Sequence, residues 1–288
     1  MSNAVLIFNP AAGMNDPVSP DMLREKGFEG EIIIADHPGD VYKIAGRLSA
    51  EATVLAVYGG DGTVTEAARA LYKRNTSLAI IPGGTANIIA KELNIPAKPE
   101  EALELLRSGH QVKRIDMGVV NGFPFLIRVN MGIFADMVTG ADPELKERWG
   151  QLAYGLAAFQ TLGREPITFQ LSIDGRSFVE EAVALTVTNA GNVGKSGFSF
   201  LPDISMDDGW LDVITLDKAN LVSLMRVTGS ILLQKNSETF RHWRAKEILI
   251  RFDPDSPWLR DDAEGTGNRL KIEVVPSALR VIVPEDPE

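Results

Sequence analysis

Short apolar runs alternate with amphipathic stretches over about the first 110 residues of the chain. Four of the runs have the length and composition of buried strands. They lie at 4–8, 31–35, 53–58 and 77–82. The stretches between and after them predict helices near 20–26, 40–50, 63–73, 85–93 and 99–108. Because strands and helices alternate, we predict an α/β domain whose parallel sheet is covered on both faces.

The pattern changes after about residue 110. Asn121-Gly122 and Asp174-Gly175 each separate two apolar runs, which is a strong hairpin signal. Further strand-like runs lie at 209–216, 246–252 and 268–284. A helical period is confined to two stretches, 145–162 and 221–235. We therefore predict a domain boundary near 110–118 and antiparallel strands beyond it.

Composition narrows the class of protein. The chain has 288 residues, of which 44% are hydrophobic, so it is long enough to form one large hydrophobic core or two smaller ones. A net charge of −10 argues against nucleic-acid binding, which needs a basic surface. Cysteine is absent, so disulfides and thiolate metal sites are excluded. No signal peptide or spanning apolar run is recognisable, and a cytoplasmic protein is expected.

Glycine-containing turns follow three of the predicted strands. They read NPAAG at 9–13, GGDGT at 59–63 and PGGT at 82–85. Parallel strands end at the same edge of a sheet, which is where α/β proteins bind ligands. Backbone N–H groups and a helix N-terminus attract an anion such as phosphate there. A tight turn without a ligand is the alternative for any one of these loops.

The residues after the glycines predict where the next helices begin. Thr63 and Glu66 have the spacing of a capping box, which makes Thr63 the expected N-cap. Thr85 is the corresponding candidate for the following helix. On this interpretation the glycines precede the helices as loop residues: Gly59, Gly60, Gly62, Gly83 and Gly84.

Asp61 lies among these glycines, although a carboxylate repels phosphate. One interpretation is a turn residue whose side chain accepts from loop N–H groups. Another is a carboxylate that meets phosphate through a divalent cation, which reverses the local charge preference. Nucleotide phosphate with Mg²⁺ accounts for the glycines and the acid together.

Two other glycine patterns do not fit a nucleotide motif. A dinucleotide fingerprint that starts at Gly60 would require a third glycine where Thr65 stands. The stretch around Lys195 resembles a P-loop, but that motif requires glycine where Asn189 stands. We therefore assign neither motif.

Two acidic segments contain further candidates. Asp262 and Glu264, two apart in an expected extended segment, would share one face, with Asp261 on the other. Phosphoryl transfer to a hydroxyl needs a base within reach, although a surface loop is the alternative. Asp207 and Asp208 suit either a turn or a Mg²⁺ or Ca²⁺ site.

Taken in order, these motifs resemble the diacylglycerol kinase catalytic-domain family, which includes bacterial lipid kinases, sphingosine kinases and ceramide kinases. The match also includes RWGQLAYGLAAF at 148–159 and PSALR at 276–280. The resemblance implies a phosphofructokinase/NAD-kinase-like parallel α/β domain for nucleotide over 1–115. It implies an antiparallel β-sandwich domain for substrate and metal over 116–276, and a last strand, about 277–288, that returns to the first domain.

The resemblance also implies ATP as the donor, Mg²⁺, and a lipid hydroxyl such as that of diacylglycerol as the acceptor. The nucleotide-binding positions that it implies are Asn9, Gly59, Gly60, Asp61, Gly62, Thr63, Glu66, Gly83, Gly84, Thr85 and Asn87. It makes Asp262 the general base, with Glu264 beside it as a catalytic residue. It makes Asp208 the ligand of a structural Mg²⁺, with backbone oxygens of Ser205 and Trp210.

The chain departs from the family pattern at several positions. Met14 stands where a lysine is common, Ile88 where an aspartate is common, and Ala35 where a threonine is common. Ala263 replaces the glycine of Asp-Gly-Glu, and alanine adopts a positive φ only at a cost. These departures motivate one alternative, a non-catalytic kinase-like regulator that binds lipid or nucleotide. NAD kinase is another, since it shares the Gly-Gly-Asp-Gly loop.

Two segments bear on lipid contact. The apolar stretch 150–162 suits a lipid tunnel or a core helix. The segment 241–251 gathers cations around Trp243, which suits anionic headgroups or a solvated face. These cations are Arg241, His242, Arg244, Lys246 and Arg251. We expect peripheral contact with the inner face of the membrane and no nucleic acid, and a homodimer is compatible with the sequence.

Overall fold

The computed structural model describes residues 4–13, 18–135, 166–193, 198–199, 203–217, 241–252 and 257–285. The chain divides into two compact units. The first comprises Met1–Met117, Ala190–Asp208 and Val275–Glu288, and the second comprises Gly118–Asn189 and Gly209–Val274. Several positions named above lie outside the described residues: Met14, the P-loop-like residues around Lys195, and the stretches 145–162 and 221–235.

Parallel strands form the centre of the first unit. They are β1 (Ala4–Phe8), β2 (Glu31–Ile34), β3 (Val54–Gly59) and β4 (Ser77–Pro82), in the order β2-β1-β3-β4. Consecutive residues of β3 and β4 are buried, so both faces of the sheet are covered, as predicted from their unbroken apolar runs. The sheet therefore confirms the predicted parallel α/β architecture.

Five helices accompany these strands in the described part of the unit. They are α1 (Pro20–Glu25), α2 (Asp40–Leu48), α3 (Asp61–Ala70), α4 (Ile88–Glu92) and α5 (Pro99–Glu104). No described helix has the length and apolarity that a membrane span requires. The unit also includes a short antiparallel ladder of β11 (Asn192–Val193) and β12 (Phe198–Ser199).

Two strands contribute to both units. β5 (His110–Val120) starts in the first unit and ends in the second, and β18 (Arg269–Pro284) does the reverse. In the first unit, β18 lies parallel to β4, with Arg280 opposite Ser77. Its buried side chains, such as Leu279 and Val281, thereby join the core of that unit.

Antiparallel strands build the second unit. They are β6 (Phe123–Phe125), β7 (Arg128–Gly132), β8 (Ile167–Ile173), β9 (Arg176–Ala182), β10 (Ala184–Thr188), β13 (Leu211–Leu216), β14 (Arg241–Ala245), β15 (Glu247–Arg251), β16 (Trp258–Arg260) and β17 (Ala263–Gly265). One sheet has the order β18-β15-β8-β9 and the other the order β14-β13-β10-β7-β16-β17. Phe169 and Ile248 of the first sheet share a buried cluster with Val187 and Val213 of the second. The predicted antiparallel β-rich architecture is confirmed.

Both predicted hairpins are present. Asn121 and Gly122 join β5 to β6 with φ of 50° and 86°, and Asp174 and Gly175 join β8 to β9 with φ of 46° and 82°. Two-residue hairpins need positive φ at these positions, and Asn, Asp and Gly adopt it at the least cost.

Candidate functional site

The turn between β3 and α3 differs from the predicted capping box. Gly60 is the N-cap, with an extended backbone, and its carbonyl accepts the first helical bond from Val64 at 3.0 Å. Thr63 is therefore a helical residue, and its prediction as the N-cap is wrong. Glu66 does not return to Thr63, because its carboxylate instead accepts from the N–H of Gly39 at 3.0 Å. A tertiary bond thus replaces the local one.

Glycines allow the two central loops to touch. A Cβ at Gly84 would lie 2.5 Å from the Cα of Gly60, and a Cβ at Gly59 would lie 2.4 Å from the side chain of Thr63. At Gly83 it would lie 2.7 Å from the ring of Tyr58. Close packing against backbone at Gly84, and against side chains at Gly59 and Gly83, therefore favours glycine at these positions, whatever the loops bind.

The turn after β1 is bonded to both of these loops. The Asn9 side-chain amide donates to the Thr63 hydroxyl at 2.8 Å. The N–H of Gly13 donates to the carbonyl of Gly83 at 2.7 Å. The three glycine-containing turns thus meet at the carboxyl edge of the parallel sheet, as predicted. Thr63 is 6% exposed, so the bond with Asn9 fixes its hydroxyl within the packed edge.

The second loop enters its helix through Asn87. This residue is the N-cap of α4, with φ 48° and ψ 50°, a left-handed conformation that asparagine tolerates. Its side chain accepts from the N–H of Gly84 at 2.9 Å and donates to the carbonyl of Gly84 at 2.8 Å. Thr85 is exposed and precedes the helix by three positions, so its prediction as the N-cap is wrong.

Asp61 joins the two helices of this edge. It occupies the first turn of α3, and its carboxylate accepts from the N–H of Ile89 in the first turn of α4 at 3.3 Å. Because the side chain of Asn87 is engaged with Gly84, α4 has no cap from its own N-cap residue. A carboxylate close to two helix N-termini is electrostatically favourable. Asp61 therefore has a structural role in addition to any contact with a ligand.

In the second unit, Asp261 organises the chain that leads into β7. Its carboxylate accepts from three backbone N–H groups: from Leu126 at 3.0 Å, Ile127 at 2.9 Å and Arg128 at 3.1 Å. Its own N–H donates to the carbonyl of Arg128 at 2.8 Å. Sequence reasoning set Asp261 apart from Asp262 but did not predict this clamp, because the partners lie more than 130 positions away.

Asp262 and Glu264 lie in the hairpin of β16 and β17, and both are exposed. Asp262 occupies the turn and Glu264 the strand, so the extended segment expected to carry both acids begins only at Ala263. The positive φ of this hairpin, 50°, belongs to Asp261 and not to Ala263. Alanine in place of the family's glycine is therefore free of backbone strain here.

In the acidic turn predicted for Mg²⁺, Asp207 is bonded to neighbouring side chains. Asp207 accepts from the hydroxyl of Ser205 at 2.6 Å and pairs with Lys113 at 2.9 Å. Burial opposes its ionisation, but these bonds and the charge of Lys113 outweigh burial and lower the pKa of Asp207. Asp208, the carboxylate that the metal prediction names, is half-buried.

Trp210, the third predicted metal position, contacts cations in the second unit. Arg244 lies 5.5 Å and Lys246 lies 4.7 Å from the centre of its indole ring. The turn before it contains Gly209 with φ 77°, in agreement with the turn interpretation of this segment.

The cations of 241–251 do not form one patch. Arg241 pairs with the buried carboxylate of Glu180 at 2.8 Å, and His242 contacts the buried carboxylate of Asp212 at 2.5 Å. Arg244 and Lys246 cover the Trp210 ring, as described above. The segment therefore does not present all of its cations on one face, because successive residues of a strand point to opposite faces. Contact with anionic headgroups and a solvated face both stay predictions for it.

Family profiles match both parts of the chain. Residues 3–120 match the profile described as "Diacylglycerol kinase catalytic domain". Residues 128–283, more than half of the chain, match the "YegS C-terminal NAD kinase beta sandwich-like domain". The two matches agree with the parallel α/β and antiparallel architectures of the two units.

Individual relatives agree with the profiles. A Pseudomonas aeruginosa protein named "Probable lipid kinase YegS-like" is 32% identical over 91% of this chain and 87% of its own length. A diacylglycerol kinase of Bacillus subtilis is 30% identical over 79% of this chain and 78% of its own length. A crystal structure of a Bacillus anthracis diacylglycerol kinase superposes with a TM-score of 0.81 at 27% identity, over 98% of this chain and 97% of that one. The chain therefore belongs to the diacylglycerol kinase catalytic domain family of YegS-like bacterial lipid kinases.

Proposed function

We propose that this protein transfers the γ-phosphoryl group of ATP to the hydroxyl of a lipid such as diacylglycerol. Membership of a kinase family supports ATP as the donor. The observation that carries the proposal is the meeting of three glycine-containing turns at the carboxyl edge of the first unit's sheet, bonded through Asn9, Thr63 and Gly83.

The nucleotide phosphates are proposed to bind at this edge. The first N–H groups of α3 lack partners within the helix and, with the helix dipole, favour an anion. The two loops touch at Gly60 and Gly84. Because these residues have no side chain, a ligand can approach their backbone closely. The proposed contact residues are Asn9, Gly59, Gly60, Asp61, Gly62, Thr63, Glu66, Gly83, Gly84, Thr85 and Asn87.

Mg²⁺ is proposed as the cation that allows Asp61 to lie beside phosphate. Carboxylate oxygens, phosphate oxygens and water are the ligands that Mg²⁺ prefers, so the donor chemistry fits. When bound, Mg²⁺ would neutralise charge on the transferred group. A second, structural Mg²⁺ is proposed at Asp208 with backbone oxygens of Ser205 and Trp210, because carboxylate and carbonyl oxygens are ligands that this ion accepts.

Asp262 is proposed as the general base, with Glu264 nearby in the same hairpin. Its carboxylate would take the proton of the acceptor hydroxyl as the oxygen attacks the γ-phosphorus and the bond to ADP breaks. Support comes from the clamp at Asp261, because three backbone bonds hold the adjacent residue in a defined turn. We also propose that the protein works as a peripheral protein at the inner face of the membrane, where its acceptor resides.

The base assignment is tested with purified protein, Mg²⁺, γ-labelled ATP and a total lipid extract. Asp262→Asn should reduce labelled lipid about a hundredfold or more, the usual contribution of a general base. Glu25→Gln, which alters an exposed carboxylate at the end of α1, should leave the rate unchanged. A full rate of phosphoryl transfer by Asp262→Asn would show that Asp262 is not the general base. ATP binding without labelled lipid from the unaltered protein would instead favour the non-catalytic regulator.

A pair of substitutions separates the two roles of Asp61. Asp61→Asn keeps an oxygen that can accept from Ile89 but loses the charge beside two helix N-termini, so it should lose about 0.3–0.5 kcal/mol of stability together with phosphoryl transfer. Asp61→Ala should lose transfer and also about 1 kcal/mol of stability, the usual effect of removing a cap. Urea unfolding and the labelled-ATP assay measure the two effects. Full transfer by Asp61→Asn would contradict a contact with Mg²⁺ and phosphate.

A further inference from the structure

The outer face of the sheet β18-β15-β8-β9 in the second unit contains a concavity of about 600 Å³. Strand register arranges its lining in rows across the sheet. The first row, called here the arginine row, consists of Arg269, Arg251, Gln170 and Val179. The second row consists of Lys271, Leu249, Ser172 and Ser177.

The arginine row places two like charges opposite each other. Arg251 and Arg269 are directly paired in register, and both are exposed. Within the described ranges of the chain, neither of them forms an ion pair with an acidic residue. Directly opposed like charges destabilise a sheet, so an anion held against this row would relieve a cost that the fold otherwise retains.

The rest of the lining is basic, neutral or apolar. Lys271 lies in the next row, 3.7 Å from Glu273, which itself lies one row further along. None of the residues that line the concavity is acidic, although the whole chain has a net charge of −10. The acidic side chains of this face lie outside the two rows: Glu247 and Glu273 are opposed in the row beyond Lys271, and Glu181 lies two residues beyond Val179 on β9.

Aliphatic side chains stand exposed beside these cations. Val179, in the arginine row, is 63% exposed, and Leu249, in the second row, is 44% exposed. Both side chains line the concavity, on β9 and on β15, with the polar residues Gln170 and Ser172 of β8 between them. Cations together with exposed aliphatic groups match the chemistry of a bilayer surface, where anionic headgroups lie above an apolar interior.

We propose that this face docks on the anionic phospholipid headgroups of a membrane. Arg251, Arg269 and Lys271 would contact headgroup phosphates, and Val179 and Leu249 would enter the boundary with the acyl chains. A soluble anion would use the cations but would gain nothing from the aliphatic side chains. The inference rests on the proposed function, because a lipid acceptor is presented by a membrane, and it explains how an acidic protein would reach that surface.

Vesicle co-sedimentation tests the proposal without ATP, so that the result does not depend on catalysis. The probes are phosphatidylcholine vesicles with and without phosphatidylglycerol. Each basic residue near an anionic surface contributes about 1 kcal/mol, or about fivefold in affinity. The double substitution Arg251→Gln, Arg269→Gln should therefore weaken binding to the anionic vesicles about thirtyfold. It should also leave unfolding stability unchanged or higher, because the repulsion is removed.

The matched control is Arg24→Gln, Lys26→Gln, which removes the same charge from exposed positions at the end of α1. It should bind the anionic vesicles as the unaltered protein does. Equal losses in both double variants, or no loss in the Arg251/Arg269 variant, would overturn the proposal. So would a change in the oligomeric state of that variant with unchanged vesicle binding, which would make the face a contact between copies.

Two further variants complete the test. Val179→Ser, Leu249→Ser should weaken vesicle binding but leave the affinity for inorganic phosphate unchanged, and unaltered vesicle binding would contradict the role of the aliphatic pair. Asp262→Asn should bind vesicles normally. A further outcome is that neither the unaltered protein nor any variant phosphorylates lipid, while vesicle binding still depends on the arginine row. That result would support the docking surface and contradict the proposed kinase activity.

Discussion

At the scale of single residues, close packing explains the glycines of the candidate phosphate edge. Gly84 and Gly60 bring two backbones into contact: a Cβ at Gly84 would lie 2.5 Å from the Cα of Gly60, and a Cβ at Gly60 would lie 3.1 Å from the Cα of Gly84. The case is different for a helical glycine with empty space where its Cβ would be. Such a glycine makes the protein less stable than alanine would, because glycine loses more conformational freedom on folding. Gly46 in α2 has no atom within 4 Å of the position where a Cβ would be built.

These two glycines provide a matched pair of substitutions. Gly84→Ala should destabilise the protein by about 2 kcal/mol, because the new methyl group meets backbone that cannot move aside easily. Gly46→Ala should stabilise it by about 0.5–1 kcal/mol. Urea unfolding of both variants measures the difference. Equal stability of the two would show that the loops are not packed as described.

At the scale of secondary-structure elements, one carboxylate connects the hairpin of β16 and β17 to the chain before β7. The carboxylate of Asp261 accepts from three consecutive backbone N–H groups, which would lose this acceptor if the side chain were removed. Losing one partner of a buried hydrogen bond costs more than the bond contributes, since the remaining group stays desolvated. The hairpin thus presents Asp262 and Glu264 from a rigid support.

Asp261→Ala should therefore cost about 2–4 kcal/mol of unfolding free energy. Amide hydrogen exchange should accelerate first at Leu126, Ile127 and Arg128. Glu264→Ala removes an exposed carboxylate from the same hairpin and should change stability by less than about 0.5 kcal/mol. If exchange at the three amides stays slow in Asp261→Ala, the clamp is not what orders them.

At the scale of the whole molecule, neither unit is a continuous piece of chain. The first unit takes its last segment, Val275–Glu288, from the C-terminal end of the sequence. This segment includes the half of β18 that lies beside β4, with four large buried side chains. They are Leu279, Val281, Ile282 and Val283. Burying them contributes about 10 kcal/mol, which is comparable to the net stability of a domain.

A chain that stops after Val274 should therefore fail to fold its first unit cooperatively. Near-ultraviolet circular dichroism and thermal melting measure the loss of packing, and a chain that stops after Glu285 serves as the control. A truncated protein that melts with the cooperativity and midpoint of the control would contradict the assignment of β18 to that core.

Features with a local cause were predictable from the order of the residues. Unbroken apolar runs between helical stretches predicted the parallel sheet, because a strand buried on both faces tolerates few polar residues. Asn121-Gly122 and Asp174-Gly175 predicted two hairpins, because their conformational preference resides in the residues themselves. The ordered loops at 9–13, 59–63 and 82–85 predicted both the family and the edge where these loops meet.

Features whose partners are distant in sequence depend on how the folded chain brings those partners together. Glu66 caps α2 instead of its own helix, and Asp61 caps α4, because the free N–H groups of neighbouring helices compete with local ones. The cations of 241–251 separate because β14 and β15 belong to different sheets. Arg251 instead meets Arg269, since strand register, and not spacing along the chain, determines which side chains share a face.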